Sequence, residues 1–214
     1  MELTSVLTIA GNSIQVVQVL LAVWGAYSVI FTLRQIKRRR FKNDSETETF
    51  LDTLRSYIEE GNHDAAVRLC DDPRNVYRAI PMLARVAIVK RHLSPARLRQ
   101  SIASKFQRDV IGVMENQRST INTIAKSEPM LGLLGTVAGM IAAFARIGGT
   151  DKVSTAGLAS DISLALTATA VGLLVAIPLI LCLNAIEVRM RSLEDVTLEG
   201  VQVVLEDLDA VATT

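Results

Sequence analysis

Charged residues occur in blocks along this chain. None lies between Leu3 and Leu33, between Pro129 and Ala145, or between Ile162 and Ile186. A helix that crosses a bilayer needs about 20 consecutive apolar residues, and a charge at the bilayer centre costs roughly 2.5–3.5 kcal/mol. The first run predicts a transmembrane helix over 14–33 and the third predicts one over 161–186. The middle run has 17 uncharged residues. It reaches spanning length, as 126–147, if Lys126 and Arg146 snorkel to opposite interfaces. The competing reading of that run is a buried helix in a soluble core.

Between the first two runs, strand-like alternation is absent and helix formers dominate. Asp44 or Ser45 can cap a helix that runs to about Glu60, where Gly61-Asn62 stops it. A second helix is expected over 64–71, ended by Asp72-Pro73. A third is expected over 75–91, with Pro81 as a kink or break inside it. Ser94-Pro95 forms an N-cap and first-turn pair. No strong stop follows until Gly148-Gly149, and Ile102, Phe106, Val110, Val113 and Met114 recur at helical spacing. Pro129 would kink this helix without ending it. About 50 residues at 1.5 Å each would make a rod of roughly 75 Å. After the third run, Leu193, Val196, Val204, Leu208 and Val211 mark an apolar stripe that extends the last helix.

Charge then sets direction. The segment 34–128 holds 19 basic and 12 acidic residues, six of the basic ones between Arg34 and Lys42. Basic flanks stay cytoplasmic, so the N-terminus, 1–13, is expected outside. The helical region 34–125 is then cytoplasmic, 148–160 is an outer loop, and 187–214 is a cytoplasmic C-terminal helix. That last segment has two basic and seven acidic residues, so it can pack against the basic one. Met1–Ser13 carries Glu2, no basic n-region and no clear small-residue cleavage site, so 14–33 is expected to be a permanent span. The fold class is an all-α membrane protein, with three transmembrane helices and long cytoplasmic helical extensions.

Composition narrows the chemistry. Half of the 214 residues are hydrophobic, 21% are charged and the net charge is +1, a balance that argues against nucleic-acid binding. Cys70 and Cys182 lie far apart and there are two histidines, so neither a disulfide framework nor a Cys/His metal site is expected. No cofactor and no catalytic residue is expected either. Gly132-Leu-Leu-Gly135 lacks a following lysine and is not a phosphate loop.

The second and third spans are rich in small residues. Gly132, Gly135 and Gly139 form a stripe at i, i+3 and i+7, which permits close backbone approach. Ala165, Thr169, Gly172 and Ala176 line one face of the third span. Thr136 and Thr169 place hydroxyls near mid-span. Each either bonds back to its own helix's i−4 carbonyl or faces a pore or a neighbouring subunit. Asn184 is expected to be a structural hydrogen-bonder, and Cys182 to pack. Three such spans cannot enclose a pore alone, and the glycine stripe needs a close neighbour. A cyclic homo-oligomer is therefore expected, a ring around a central pore.

The run Pro129–Met140, with Gly132, Gly135-Thr136-Val137 and Gly139, resembles the second span of the MotA/TolQ/ExbB proton channel family. Ala165-Leu-Thr-Ala-Thr-Ala-Val-Gly-Leu173, followed by Ala176-Ile-Pro178 and Asn184, is similar to that family's third span. The resemblance covers essentially the whole chain and is nearest to the ExbB/TolQ branch. It implies a homopentamer in the bacterial inner membrane, with Thr136 and Thr169 facing the pore. It also implies a single-span ExbD/TolR-like partner whose aspartate carries the proton, a TonB- or TolA-like protein beyond it, and lipid around the ring. Proton motive force would drive work on envelope partners, in TonB-dependent or Tol-type transport. A gliding-motility-type stator and a non-conducting scaffold of the same fold are the alternatives. One departure stands out. Many ExbB and TolQ sequences have a glutamate five residues before the third-span threonine, where this chain has Leu164. The proton-carrying carboxylate would then come from the partner, with Asp161 at the outer mouth offering electrostatic attraction only.

Overall fold

Long uncharged stretches favour uninterrupted helix, even past Pro129 and Pro178, because in lipid every backbone polar group must be satisfied within the protein. A computed structural model describes residues 2–148 and 155–212 and is helical almost throughout, with no strand among the described residues. The elements are α1 (Glu2–Arg39), α2 (Asp44–Glu59), α3 (His63–Asp71), α4 (Ala79–Val89), α5 (Pro95–Phe106), a π-helical turn (Gln107–Ile111), α6 (Gly112–Gly148) and α7 (Thr155–Ala212). Three of these are long and apolar enough to cross a membrane, within Ser13–Arg39, Pro95–Ala145 and Thr155–Val211.

Local signals explain most boundaries. The α2 helix ends where Gly61 takes φ +72, a left-handed backbone that favours glycine. Asn62 caps α3, its side-chain oxygen accepting from the Ala65 N–H at 3.2 Å. Ser94 and Pro95 open α5 as expected, although the Ser94 side chain makes no capping bond. The expected helix over 75–91 is shorter at both ends. It starts at Ala79 after a turn, which places Pro81 in its first turn, where no intrahelical partner is owed to its missing N–H. Pro81 therefore begins this helix and does not break it. Pro129 sits inside α6 without ending it. Part of the expected outer loop 148–160 lies outside the described residues, and from Thr155 onward it is already helix. The Arg146 side chain, one of the two expected snorkels, also lies outside them.

The Cα framework divides into two units, Met1–Ile30 with Gln117–Ala185, and Phe31–Asn116 with Ile186–Thr214. In the second unit, Phe50, Leu54 and Ile58 of α2, Leu83, Ala84, Ala87 and Ile88 of α4, and Ile102 and Phe106 of α5 are buried. So are Leu193, Val201, Val204 and Leu208 of α7. Of the stripe expected on α7, Val196 is half-buried and Val211 is exposed, while Thr197 and Gly200 fill its centre. A Cβ on Gly200 would lie 2.7 Å from Ile80 Cδ1, so α7 sits directly on α4 there. The acidic tail meets the basic segment at Arg55, whose Nε donates to Asp207 Oδ1 at 2.9 Å. Within the π turn, the Gly112 N–H reaches back five residues to the Gln107 carbonyl.

In the first unit, parts of α1, α6 and α7 pack together. A Cβ on Gly25 of α1 would lie 3.0 Å from Leu179 Cδ1 and 3.4 Å from Ile124 Cγ2. The outward faces are apolar, with Leu20, Trp24, Leu133, Phe144, Leu174 and Leu181 all more than half exposed. So much contiguous apolar surface suits lipid or other protein, not water.

Candidate functional site

The glycine stripe and the small face of α7 are two sides of one contact. A Cβ on Gly132 would lie 2.8 Å from Thr169 Cα and 3.0 Å from the Ala168 carbonyl oxygen. On Gly135 it would be 2.7 Å from Ala168 Cβ, and on Gly139 it would be 2.5 Å from Ala165 Cβ. Only hydrogen fits at these positions. Ala165 and Ala176 are buried, as is Ala168, which the expected face omitted. The stripe thus finds its close neighbour inside the same chain. The stripe calls for no second subunit as its neighbour, because α7 already fills the groove.

The two threonines differ. Thr169 Oγ1 donates across the helix pair to the Gly132 carbonyl oxygen at 2.8 Å, not to its own i−4 carbonyl. Thr136 Oγ1 donates within its own helix, to the Leu133 carbonyl oxygen at 2.7 Å, one residue nearer than the i−4 bond expected. Both side chains are half-buried, and no hydrogen bond joins them to each other among the described residues. Thr167 is exposed and bonds to the Ser163 carbonyl oxygen at 2.8 Å. Leu164 is half-buried. Asp161 is buried against α6, its main-chain oxygen 3.1 Å from a Cβ position on Gly139, and so is not a freely solvated charge at a mouth. Asn184 is exposed and makes no side-chain hydrogen bond among the described residues, in contrast to the structural role expected of it.

Several buried polar residues were not anticipated, Gln18 and Glu128 among them. Gln18, inside the first charge-free run, is fully buried, and its Nε2 donates to the Ala168 carbonyl oxygen at 3.0 Å. Glu128, just before Pro129, is also fully buried. Their helices meet α7 at one point, where a Cβ on Gly172 would lie 2.6 Å from the Glu128 main-chain oxygen and 3.0 Å from Gln18 Nε2. The signals were present: an amide amid apolar residues, and an acid beside the proline that opens the span. What hides Glu128 is its position at the start of the expected span 126–147, where its charge counts with the preceding basic segment. No group of three or more His, Cys, Asp or Glu side chains that could hold a metal occurs among the described residues.

Three helices long and apolar enough to cross a membrane, joined by glycine-to-alanine packing with hydroxyl, amide and carboxyl groups between them, fit a multi-pass all-α membrane protein. The profile of the MotA/TolQ/ExbB proton channel family matches residues 75–197, more than half of the chain, and the chain belongs to that family. Among curated relatives, the Tol-Pal system protein TolQ of Haemophilus influenzae is 36% identical over 81 residues, covering 38% of this chain and 36% of that one. The biopolymer transport protein ExbB of Neisseria gonorrhoeae is 34% identical over 115 residues, covering 54% and 45%. The ExbB of Aquifex aeolicus is 42% identical over 71 residues, covering 33% and 48%. These names place the chain in the ExbB/TolQ branch. The matched stretch spans between about a third and a half of the length of these relatives.

Proposed function

We propose that this chain is the channel subunit of an ExbB/TolQ-type motor in the bacterial inner membrane, coupling proton motive force to work on envelope partners. The carrying observation is the family match over 75–197, which contains both small-residue spans and the contact between them. In this reading the N-terminus is periplasmic and the C-terminus cytoplasmic. Five copies form a ring, with α6 and α7 around a central pore. An ExbD/TolR-like single-span subunit enters the pore and brings the aspartate that carries the proton, and a TonB- or TolA-like protein takes up the motion.

The hydroxyl geometry supports a specific role for the threonines. A hydroxyl has one donor and two acceptor lone pairs. Thr136 and Thr169 both spend the donor on a backbone carbonyl. What each can offer to the pore is an acceptor. A protonated partner aspartate can donate to it, whereas the charged form cannot, and unpaired it would cost several kcal/mol in this environment. The pair would therefore favour the neutral form in transit. The driving force is about 2.3 kcal/mol per charge per 100 mV.

The test is proton uptake into vesicles that hold this chain with its single-span partner. Uptake that collapses on adding a protonophore, and falls strongly in Thr136→Val and Thr169→Val but little in Thr167→Val, supports the reading. Assembled complexes that pass no protons would instead identify a non-conducting scaffold.

A further inference from the structure

We propose that Glu128 is a proton-binding site within the membrane part of this subunit, and that it supplies from α6 the acid that α7 lacks at Leu164. Its role in transport rests on the channel reading above. Its binding of a proton does not.

The argument is one of donors and acceptors. Both carboxyl oxygens of Glu128 are buried and have no hydrogen-bond partner among the described residues, and the same holds for Gln18 Oε1. The Gln18 amide donates one of its two N–H groups to the Ala168 carbonyl, and neither is bonded to a Glu128 oxygen. Both oxygens of this buried carboxyl group therefore stand as acceptors with no donor bonded to them. Buried polar groups are normally paired, and a proton on Glu128 removes the charge that a buried, unpartnered carboxylate could not keep without a large desolvation cost. Pro129 adds to the imbalance, since it has no N–H to give the Ala125 carbonyl one turn earlier.

Among the described residues, no cation is paired with the carboxylate instead. The stretches of α1 and α7 that pack here lie within Leu3–Leu33 and Ile162–Ile186, which contain no charged residue. Their nearest titratable side chains are Tyr27, which is exposed, and Cys182, ten residues beyond Gly172. On α6 itself Lys126 is exposed while Glu128 is fully buried, so the two point to different sides. A proton suits the site better than a metal cation. Cations such as sodium or calcium draw on a shell of several oxygens, whereas a proton needs one oxygen to hold it and one to receive its bond. An ionisable group within a membrane bundle is costly to keep and marks ion or proton pathways.

The test uses the full chain in lipid nanodiscs and a hydrophobic carbodiimide, which modifies protonated carboxyls in apolar surroundings, with the site read by peptide mass spectrometry. Modification of Glu128 near neutral pH that falls as pH rises supports the site. A Glu128 that stays unmodified in the folded chain, although a water-soluble carbodiimide at acid pH modifies it after denaturation, overturns it. Protection by sodium chloride but not choline chloride at fixed pH would assign the site to sodium and also overturn it. Glu128→Gln supplies an N–H donor in the same shape and should keep assembly and thermal stability. In vesicles with the partner, Glu128→Gln should lower uptake at least tenfold, with partial recovery in Glu128→Asp. Full uptake in Glu128→Gln overturns the transport role. Absence of uptake in the wild type overturns the channel reading, and the labelling result then decides Glu128 by itself.

Discussion

The Thr169 hydroxyl donates to the Gly132 carbonyl at a point of close backbone approach between α6 and α7, with a Cβ on Gly132 only 2.8 Å from Thr169 Cα. The bond and the close approach depend on each other. Glycine lets the backbones near enough for the hydroxyl to reach, and the hydroxyl satisfies a carbonyl that already serves its own helix.

Thr169→Val should therefore destabilise the helix pair by about 0.6 kcal/mol, and by no more than about 1.7, the range for interhelical hydrogen bonds in membranes. Thr136→Val removes only an intrahelical bond and should leave stability almost unchanged. Unfolding of the detergent-solubilised protein, followed by circular dichroism, separates the two. Equal losses would show that the Gly132 bond carries no special weight.

Gly132→Ala should force α6 and α7 apart, because the new methyl meets backbone atoms that cannot rotate away. A loss of about 1–3 kcal/mol is expected for such overpacking. Gly148→Ala meets nothing within 4 Å and should cause no loss. Disulfide trapping between paired cysteines on the two helices would show the separation directly.

The Arg55–Asp207 pair should contribute little despite its 2.9 Å contact, since the Arg55 side chain is 47% exposed. A double-mutant cycle with alanine at both positions should give a coupling under about 1 kcal/mol. A much larger value would mean that the C-terminal helix is held mainly by charge and not by the Gly200, Val201 and Val204 face.

Burial pushes the Cys70 thiol up to about 12 from an ordinary value of 9.0, with the neighbouring Asp71 carboxylate adding to the shift and Arg85 opposing it. Only thiolate reacts with alkylating reagents, so native Cys70 should resist iodoacetamide at pH 8 and react readily once the chain is denatured. The raised value also has a stability sign. The fold favours the thiol, and this contribution is complete below about pH 9 and is lost as pH climbs toward about 12. Cys70→Ala should flatten the alkaline limb of a melting-temperature profile.

Ser5→Cys should be labelled from the periplasmic side by a membrane-impermeant maleimide, and Glu60→Cys only after the membrane is opened. The reverse pattern would invert the orientation read from Arg34–Lys42.

Much of this fold could be read from one-dimensional patterns. The charge-free runs, the stop at Gly61 and the Ser94-Pro95 start each depend on neighbours in sequence. The glycine stripe was visible too, but not which partner it met, because a face that allows close approach does not name what approaches. Pro81 was misplaced for a related reason. Its disruptive effect depends on its distance from the helix start, and the turn before Ala79 carries no strong breaker. Gln18 and Glu128 were harder to find. Whether a polar side chain in or beside an apolar run faces lipid, water or another helix is set by rotation about the helix axis, and charge counting averages over that angle.

The wide turn at Gln107–Ile111 has a consequence for how this chain tolerates insertions and deletions. Ile102, Phe106, Val110 and Met114 are all buried although they are spaced four apart. In a pure α-helix each such step overshoots by roughly 40°, so three steps would carry the last side chain well away from the core. The π turn takes up one surplus residue and cancels that drift. Removing a single residue within 107–109 would leave a four-three-four spacing, which ordinary α-helix keeps on one face. The same removal inside α5 would swing Leu98 about 100° relative to Phe106. This stretch of chain therefore has one length at which it can be shortened without losing its core, and it lies where the helix is already widened.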